Sequence, residues 1–241
     1  MQAAERIDDY LEMLNPAQRQ AAEYGEKLPN EPFRAGPLLV IAGAGTGKTM
    51  TLAHRVAHLI LQGVSPERIL LLTFTRRAAQ EMTRRVDAIV RQALAGKQAS
   101  AIPAGVLPWS GTFHSVANRL LRRFAANLGL DPGFSVLDRG DAADVIDVAR
   151  HELSLTKKSR RFPKKDTCLA IYSRCVNTQN TLGDVLNESY PWCADWEAEL
   201  RELFRHYVTR KQHSQALDYD DLLLYWNHLV ADREFAEHIG A

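Results

Sequence analysis

Cysteine is scarce in this sequence. The three present, Cys168, Cys175 and Cys193, cannot all pair and lack metal-ligand spacing, which excludes a disulfide framework and fits a reducing cytoplasm. An excess of either charge is also missing: 30 lysines and arginines meet 29 aspartates and glutamates, for a net +1. Overall charge therefore argues neither for nor against a polyanion, and any nucleic-acid contact must come from a local patch. No apolar run approaches the length of a membrane span. Met1–Leu14 mixes charge with apolar residues and lacks a signal-peptide core. Internal repeats and low-complexity segments are absent. What is there is 46% hydrophobic and 24% charged, ordinary for a soluble protein, with room for one large domain or two small ones.

The chemistry concentrates between Leu38 and Thr49. Leu38-Leu-Val-Ile41 is a short apolar run that predicts a buried strand. Gly43, Gly45 and Gly47 follow at alternate positions, then Lys48 and Thr49, then a helical face of Leu52, Val56, Leu59 and Ile60. Strand, glycine turn, Lys-Thr and helix is the order of a phosphate-binding loop. Glycines let backbone N–H groups turn around an anion. The helix N-terminus behind them adds partial positive charge. In such a loop Lys48 reaches the β- and γ-phosphates and the Thr49 hydroxyl ligates Mg²⁺. Ala42 stands where the strict pattern begins with glycine, and a glycine-rich turn without a ligand is the plainer alternative.

Upstream, Asn15-Pro16-Ala17-Gln18 reads as a helix start, with Asn15 as cap and Pro16 in the first turn. A capping box suffices to explain Gln18; alternatively its amide pairs with the N6 and N7 edge of adenine. Residues 25–37 read as a loop. Ile69–Thr75 predicts a second buried strand, joined to the first by a helix in a βαβ unit, hence a parallel sheet. It ends in Thr73, Phe74 and Thr75, followed by Arg76 and Arg77. Such a cluster can stack a base and hold phosphates, although a core ring beside solvated arginines is the simpler reading. Residues 95–110 read as a loop. Trp109–His114 predicts a third strand whose end, Thr112-Phe113-His114, repeats the polar-aromatic chemistry.

Past Asp131–Asp138, Asp141 is a candidate helix cap, and strand signals vanish until about residue 213. Lys157–Lys165 is strongly basic, a solvated loop or a nucleic-acid contact. Trp192 to Tyr207 suggests an amphipathic helix. Residues 139–213 therefore read as a separate helical domain. Leu217-Asp-Tyr-Asp-Asp-Leu-Leu223 opens another helix with Asp218 as cap, its acids serving the first turn.

Four motif stretches, and a fifth that leads towards a further motif, together resemble the N-terminal part of UvrD/Rep/PcrA-type superfamily one DNA helicases. Leu14–Gln20 looks like the Q motif and Ala42–Thr49 like the Walker A loop, which in that family begins with Ala. Leu72–Met82 resembles motif Ia and Gly111–Ser115 resembles motif Ib. Leu217–Leu223 resembles the segment leading towards motif II. The resemblance implies an α/β fold: a RecA-like P-loop domain with a parallel sheet over 1–138 and 214–241, interrupted by a mostly helical 1B-type domain over 139–213. It implies ATP and Mg²⁺ as cofactors. Gln18, Ala42, Gly43, Ala44, Gly45, Thr46, Gly47, Lys48, Thr49 and Met50 would lie on the nucleotide, with Lys48 and Thr49 catalytic and Thr49 on the metal. Single-stranded DNA, or a single-strand/duplex junction, would meet Thr73, Phe74, Thr75, Arg76, Arg77, Thr112, Phe113 and His114. Accessory repair or replication proteins are further implied partners; no membrane is. Arg76-Arg77 stand where the family usually has Asn-Lys, which keeps the charge but not an asparagine contact. Met50 stands where arginine is frequent, so no polar contact carries over.

The expected function is that of an ATP-dependent DNA helicase. This chain is read as an N-terminal portion ending before motif II, which binds ATP without hydrolysing it. Two alternatives are a generic P-loop NTPase, with Asp138 as its metal-side acid, and a non-catalytic nucleic-acid-binding module.

Overall fold

Short polar side chains, Asn15, Asp138, Thr181 and Asp218, cap four of the described helices and fix where those elements begin. The computed structural model describes residues 9–94, 107–155, 161–233 and 236. It forms two compact units, Met1–Val116 and Ala117–Ala241. The fold is mostly helical with small parallel sheets.

In the first unit, helix α1 (Pro16–Glu23) opens on a capping box: the Asn15 side chain accepts from the Gln18 N–H, and the Gln18 side chain accepts from the Asn15 N–H. Helix α2 (Lys48–Leu61) packs against α1 and against α3 (Arg76–Leu94). Strand β1 (Leu71–Thr73) pairs in parallel with β2 (Ser110–Thr112), with Thr73 opposite Thr112. The apolar centre is Ala53, Val56 and Ala57 of α2, Ile69 and Leu71, Met82, Val86 and Val90 of α3, and Leu107. A second cluster, Tyr10, Leu11, Leu14 and Ala22, receives Met50.

The expected strand at Leu38–Ile41 is not formed. Among the described residues nothing pairs with it, and Leu39 and Ile41 are 83% and 88% exposed. Strands exist by pairing; four apolar residues without a neighbour have no ladder to join. The single parallel sheet anticipated from the βαβ pattern is instead two separate strand pairs. The second strand is shorter than expected, and the third gives way to helix α4 (Phe113–Arg123) at Phe113.

In the second unit, β3 (Ser135–Val136) pairs in parallel with β4 (Ala216–Leu217). Between them run α5 (Arg139–Glu152), α6 (Lys165–Thr178), α7 (Leu182–Ser189) and α8 (Glu197–His213). Their core includes Ile146, Leu169, Ile171, Leu186, Leu200, Leu203 and Tyr207. Asp138, not Asp141, caps α5; Asp141 is the reciprocal partner three residues on. The aromatic stretch begins as a 3₁₀ turn, Pro191–Trp196, before α8. Helix α9 (Tyr219–Ala231) follows Asp218, its cap. Its capping box is buried against Lys211, whose Nζ donates to Asp218 Oδ2 and Asp221 Oδ2, both at 2.6 Å. The Tyr207 hydroxyl donates to the same Asp218 oxygen at 2.7 Å. The ammonium also lies 4.5 Å and 5.1 Å from the ring centroids of Tyr207 and Tyr172. Burial pulls the Lys211 pKa down, but Asp221 and Asp218 outweigh it and hold the charge above the usual lysine range. Residues 157–160 of the basic run and 95–106 of the expected loop lie outside the described residues. The three cysteines are unpaired, and burial pushes the Cys168 thiol up to about 12.

Candidate nucleotide and nucleic-acid site

The turn from Ala42 to Gly47 brings the backbone round into α2. Gly45 and Gly47 have φ of +76° and +85°, left-handed values that glycine adopts without a Cβ penalty. Gly47 is the cap residue of α2 and supplies no side-chain cap, so the first amides of α2 have no side-chain acceptor at that cap. This is the arrangement that receives an anion. Lys48 Nζ donates to the carbonyls of Ala42 at 2.9 Å and Gly43 at 2.5 Å. Thr46 Oγ1 donates to Gly43 O at 2.8 Å. Lys48 and Thr49 are exposed. Ala44 has no side chain that reaches a phosphate, so any contact there is through its backbone.

Gln18 sits beside this loop. Its Nε2 donates to the Thr46 carbonyl at 2.9 Å, while its Oε1 accepts the Asn15 N–H at 3.0 Å. The cap is present, and the same amide touches the phosphate loop. Met50 packs half-buried against the apolar cluster of Tyr10, Leu11, Leu14 and Ala22. Sequence reasoning did not find Arg55, which donates to Ala22 O at 3.1 Å and lies against the Tyr24 and Phe33 rings. Nothing in a lone arginine on an amphipathic helix signals such a clamp.

Pairing of β1 with β2 places both polar-aromatic ends side by side. Phe74 is 91% exposed, and its ring centroid lies 5.8 Å from that of Phe113. An exposed ring beside a second, partly exposed one can stack a base. Each threonine serves the helix that follows: Thr75 Oγ1 accepts from Ala78 N at 3.1 Å, and Thr112 Oγ1 from Ser115 N at 3.2 Å. Thr73 Oγ1 donates to Thr75 O. Arg76 and Arg77 are exposed at the start of α3, and His114 is half-buried in α4.

A cleft of about 850 Å³ connects the two chemistries, lined by Thr49 from the loop and by Thr73, Thr75, Arg77 and Glu81. Hydrogen bonds from Arg85 and Arg84 hold Glu81 below the usual carboxylate range, at 2.6 Å and 2.8 Å. Among the described residues no group of three or more His, Cys, Asp or Glu forms a metal site. Asp138 is spent on its capping box, and Asp220 accepts from Asn177 at 2.8 Å.

A family model described as the UvrD/REP helicase N-terminal domain matches residues 14–240. The chain belongs to that family. Among its relatives, the ATP-dependent DNA helicase PcrA of Staphylococcus aureus is 37% identical over 191 residues, covering 78% of this chain and 24% of that protein. PcrA of Staphylococcus epidermidis matches with the same identity and coverage. The chain thus spans 24% of the length of these curated relatives. Among the described residues no helix is long and apolar enough to cross a membrane.

Proposed function

We infer that this chain is the nucleotide-binding, DNA-contacting part of an ATP-dependent DNA helicase of the UvrD/Rep type. The observation that carries the reading is the Gly47–Lys48–Thr49 helix start. It has left-handed glycines, no side-chain cap and a lysine at the loop, and it shares a cleft with the strand-end threonines. Lys48 would bind the β- and γ-phosphates, the loop amides would hold their oxygens, and Thr49 would hold Mg²⁺. When bound, the metal supplies charge neutralisation on the phosphates. Phe74 and Phe113 would stack bases, with Arg76, Arg77, His114 and the threonines on phosphates. A single strand or a single-strand/duplex junction fits that surface, and a cytoplasmic setting with repair or replication partners goes with it.

We read 139–213 as the inserted helical domain of a RecA-like domain formed by 1–138 and 214–241. Support comes from β3 and β4, a parallel pair flanking that segment. The 241 residues by themselves should bind nucleotide without turning it over. Hydrolysis needs a metal-side acid, a water-positioning group and an arginine on the γ-phosphate; Asp138 and Asp220, the acids an independent NTPase would need, are engaged elsewhere.

Calorimetry with Mg·ATP tests the reading. Lys48→Ala should abolish binding, and unchanged affinity would refute it. In anisotropy titrations with single-stranded DNA, Phe74→Ala should cost about 1–3 kcal/mol. Replacing Arg76 or Arg77 should lower the salt slope by roughly 0.7 for each phosphate no longer neutralised.

A further inference from the structure

We propose that Gln18 is a positioning residue of the phosphate loop, acting on it whether or not a base is bound. The proposal rests on the nucleotide-binding reading above. Its basis is one amide bonded at both ends: Oε1 accepts from the N–H of Asn15, the cap of α1, and Nε2 donates to the Thr46 carbonyl at 2.9 Å. The same nitrogen lies only 2.7 Å from where a Cβ on Gly47 would stand, so the side chain fills the space that glycine leaves open.

The bond fixes a particular peptide plane. In a trans peptide the carbonyl and the following N–H point in opposite directions. Holding the Thr46 carbonyl towards α1 therefore turns the Gly47 N–H away from α1. Glycine at this position would otherwise let the plane rotate at little steric cost. A loop that binds anions through its amides depends on that orientation. Base recognition is not displaced by this role. An amide carries two N–H donors and two oxygen lone pairs, and one of each is used here, leaving one of each for adenine.

Two measurements on the whole chain decide it. Nuclear relaxation of the ligand-free protein reads the loop directly. Gln18→Ala should lower the order parameter of the Gly47 N–H from about 0.85 towards 0.6, whereas Asn15→Ala, which removes the other half of the cap, should leave it unchanged. An unaltered Gly47 order parameter in Gln18→Ala overturns the proposal. Calorimetry with Mg·tripolyphosphate, which has no base, reads the consequence. Gln18→Ala should weaken it roughly three- to tenfold, the worth of one neutral hydrogen bond, with Asn15→Ala near wild type. Normal tripolyphosphate affinity with weakened ATP would make Gln18 a base reader alone and overturn the proposal. If the unaltered chain bound neither ligand, the nucleotide reading would fall, and the relaxation result would still decide whether Gln18 holds the loop.

Discussion

Leu39 and Ile41, ahead of the glycine loop, are more than four-fifths exposed, whereas Lys211, in the last turn of α8, is 3% exposed. Residue type would have assigned them the other way round. The difference lies in partners. Lys211 finds two carboxylates and two aromatic faces within its reach. The aliphatic run has no adjacent strand among the described residues, and its backbone groups are left to solvent. Burial here follows from what a side chain meets, and only secondarily from what it is.

The sharpest way to break that contrast is to remove the partner. Lys211→Ala leaves Asp218 and Asp221 buried with no counter-charge and should cost about 3–5 kcal/mol, read as a drop in the urea midpoint. A variant as stable as the parent would mean that the cluster contributes nothing. Next in size, Leu200→Ala in the helical core should cost about 2–5 kcal/mol, while Ile41→Ala should stay within about 0.5 kcal/mol. Equal losses would erase the distinction between the two regions. The smallest effect is in pH. Burial pushes Tyr172 from 10.0 to about 12, Tyr207 is raised in the same direction chiefly by burial, and Lys211 is raised by its carboxylates against the pull of burial. All three folded pKa values exceed the unfolded ones. The folded state therefore holds more protons above pH 10, and the stability they contribute, complete below that point, is lost as pH rises. Urea midpoints between pH 9 and pH 12 should fall, and Tyr172→Phe should make the fall shallower. A flat profile would contradict the shifts.

The legible parts of the chain were those whose signals are local. The spacing Gly43 to Thr49 encodes a loop that turns on its own φ values, and the structure has that turn. Asn15 with Gln18, and Asp218, are caps that need only three neighbouring residues, and both are formed. Asp141 was three residues off because Asp138 and Asp141 are reciprocal partners and either could be read as the cap. Illegible were features made by distant residues. Whether Leu38–Ile41 becomes a strand depends on what lies alongside. Met50 is half-buried because Tyr10, Leu11, Leu14 and Ala22, all distant in sequence, meet it. Lys211 carries no sequence mark of burial. At the site, the phosphate loop and the two aromatic strand ends could be listed from sequence, but not that Thr73 faces Thr112, nor that Gln18 reaches Thr46.

On the proposed nucleotide reading, the bonds from Lys48 to the Ala42 and Gly43 carbonyls would make nucleotide entry a ligand exchange around one ammonium group. Two neutral oxygens would leave and phosphate oxygens would arrive. The count of hydrogen bonds barely changes, so the heat released on binding should be modest. What the exchange gains is formal charge on the acceptor, and for an exposed lysine that gain is screened by salt. Side-chain rotation takes picoseconds to nanoseconds, so the self-held lysine does not slow arrival. On that reading it would lower affinity without lowering the rate of encounter, and weak, fast-exchanging, salt-sensitive binding would be the resulting signature.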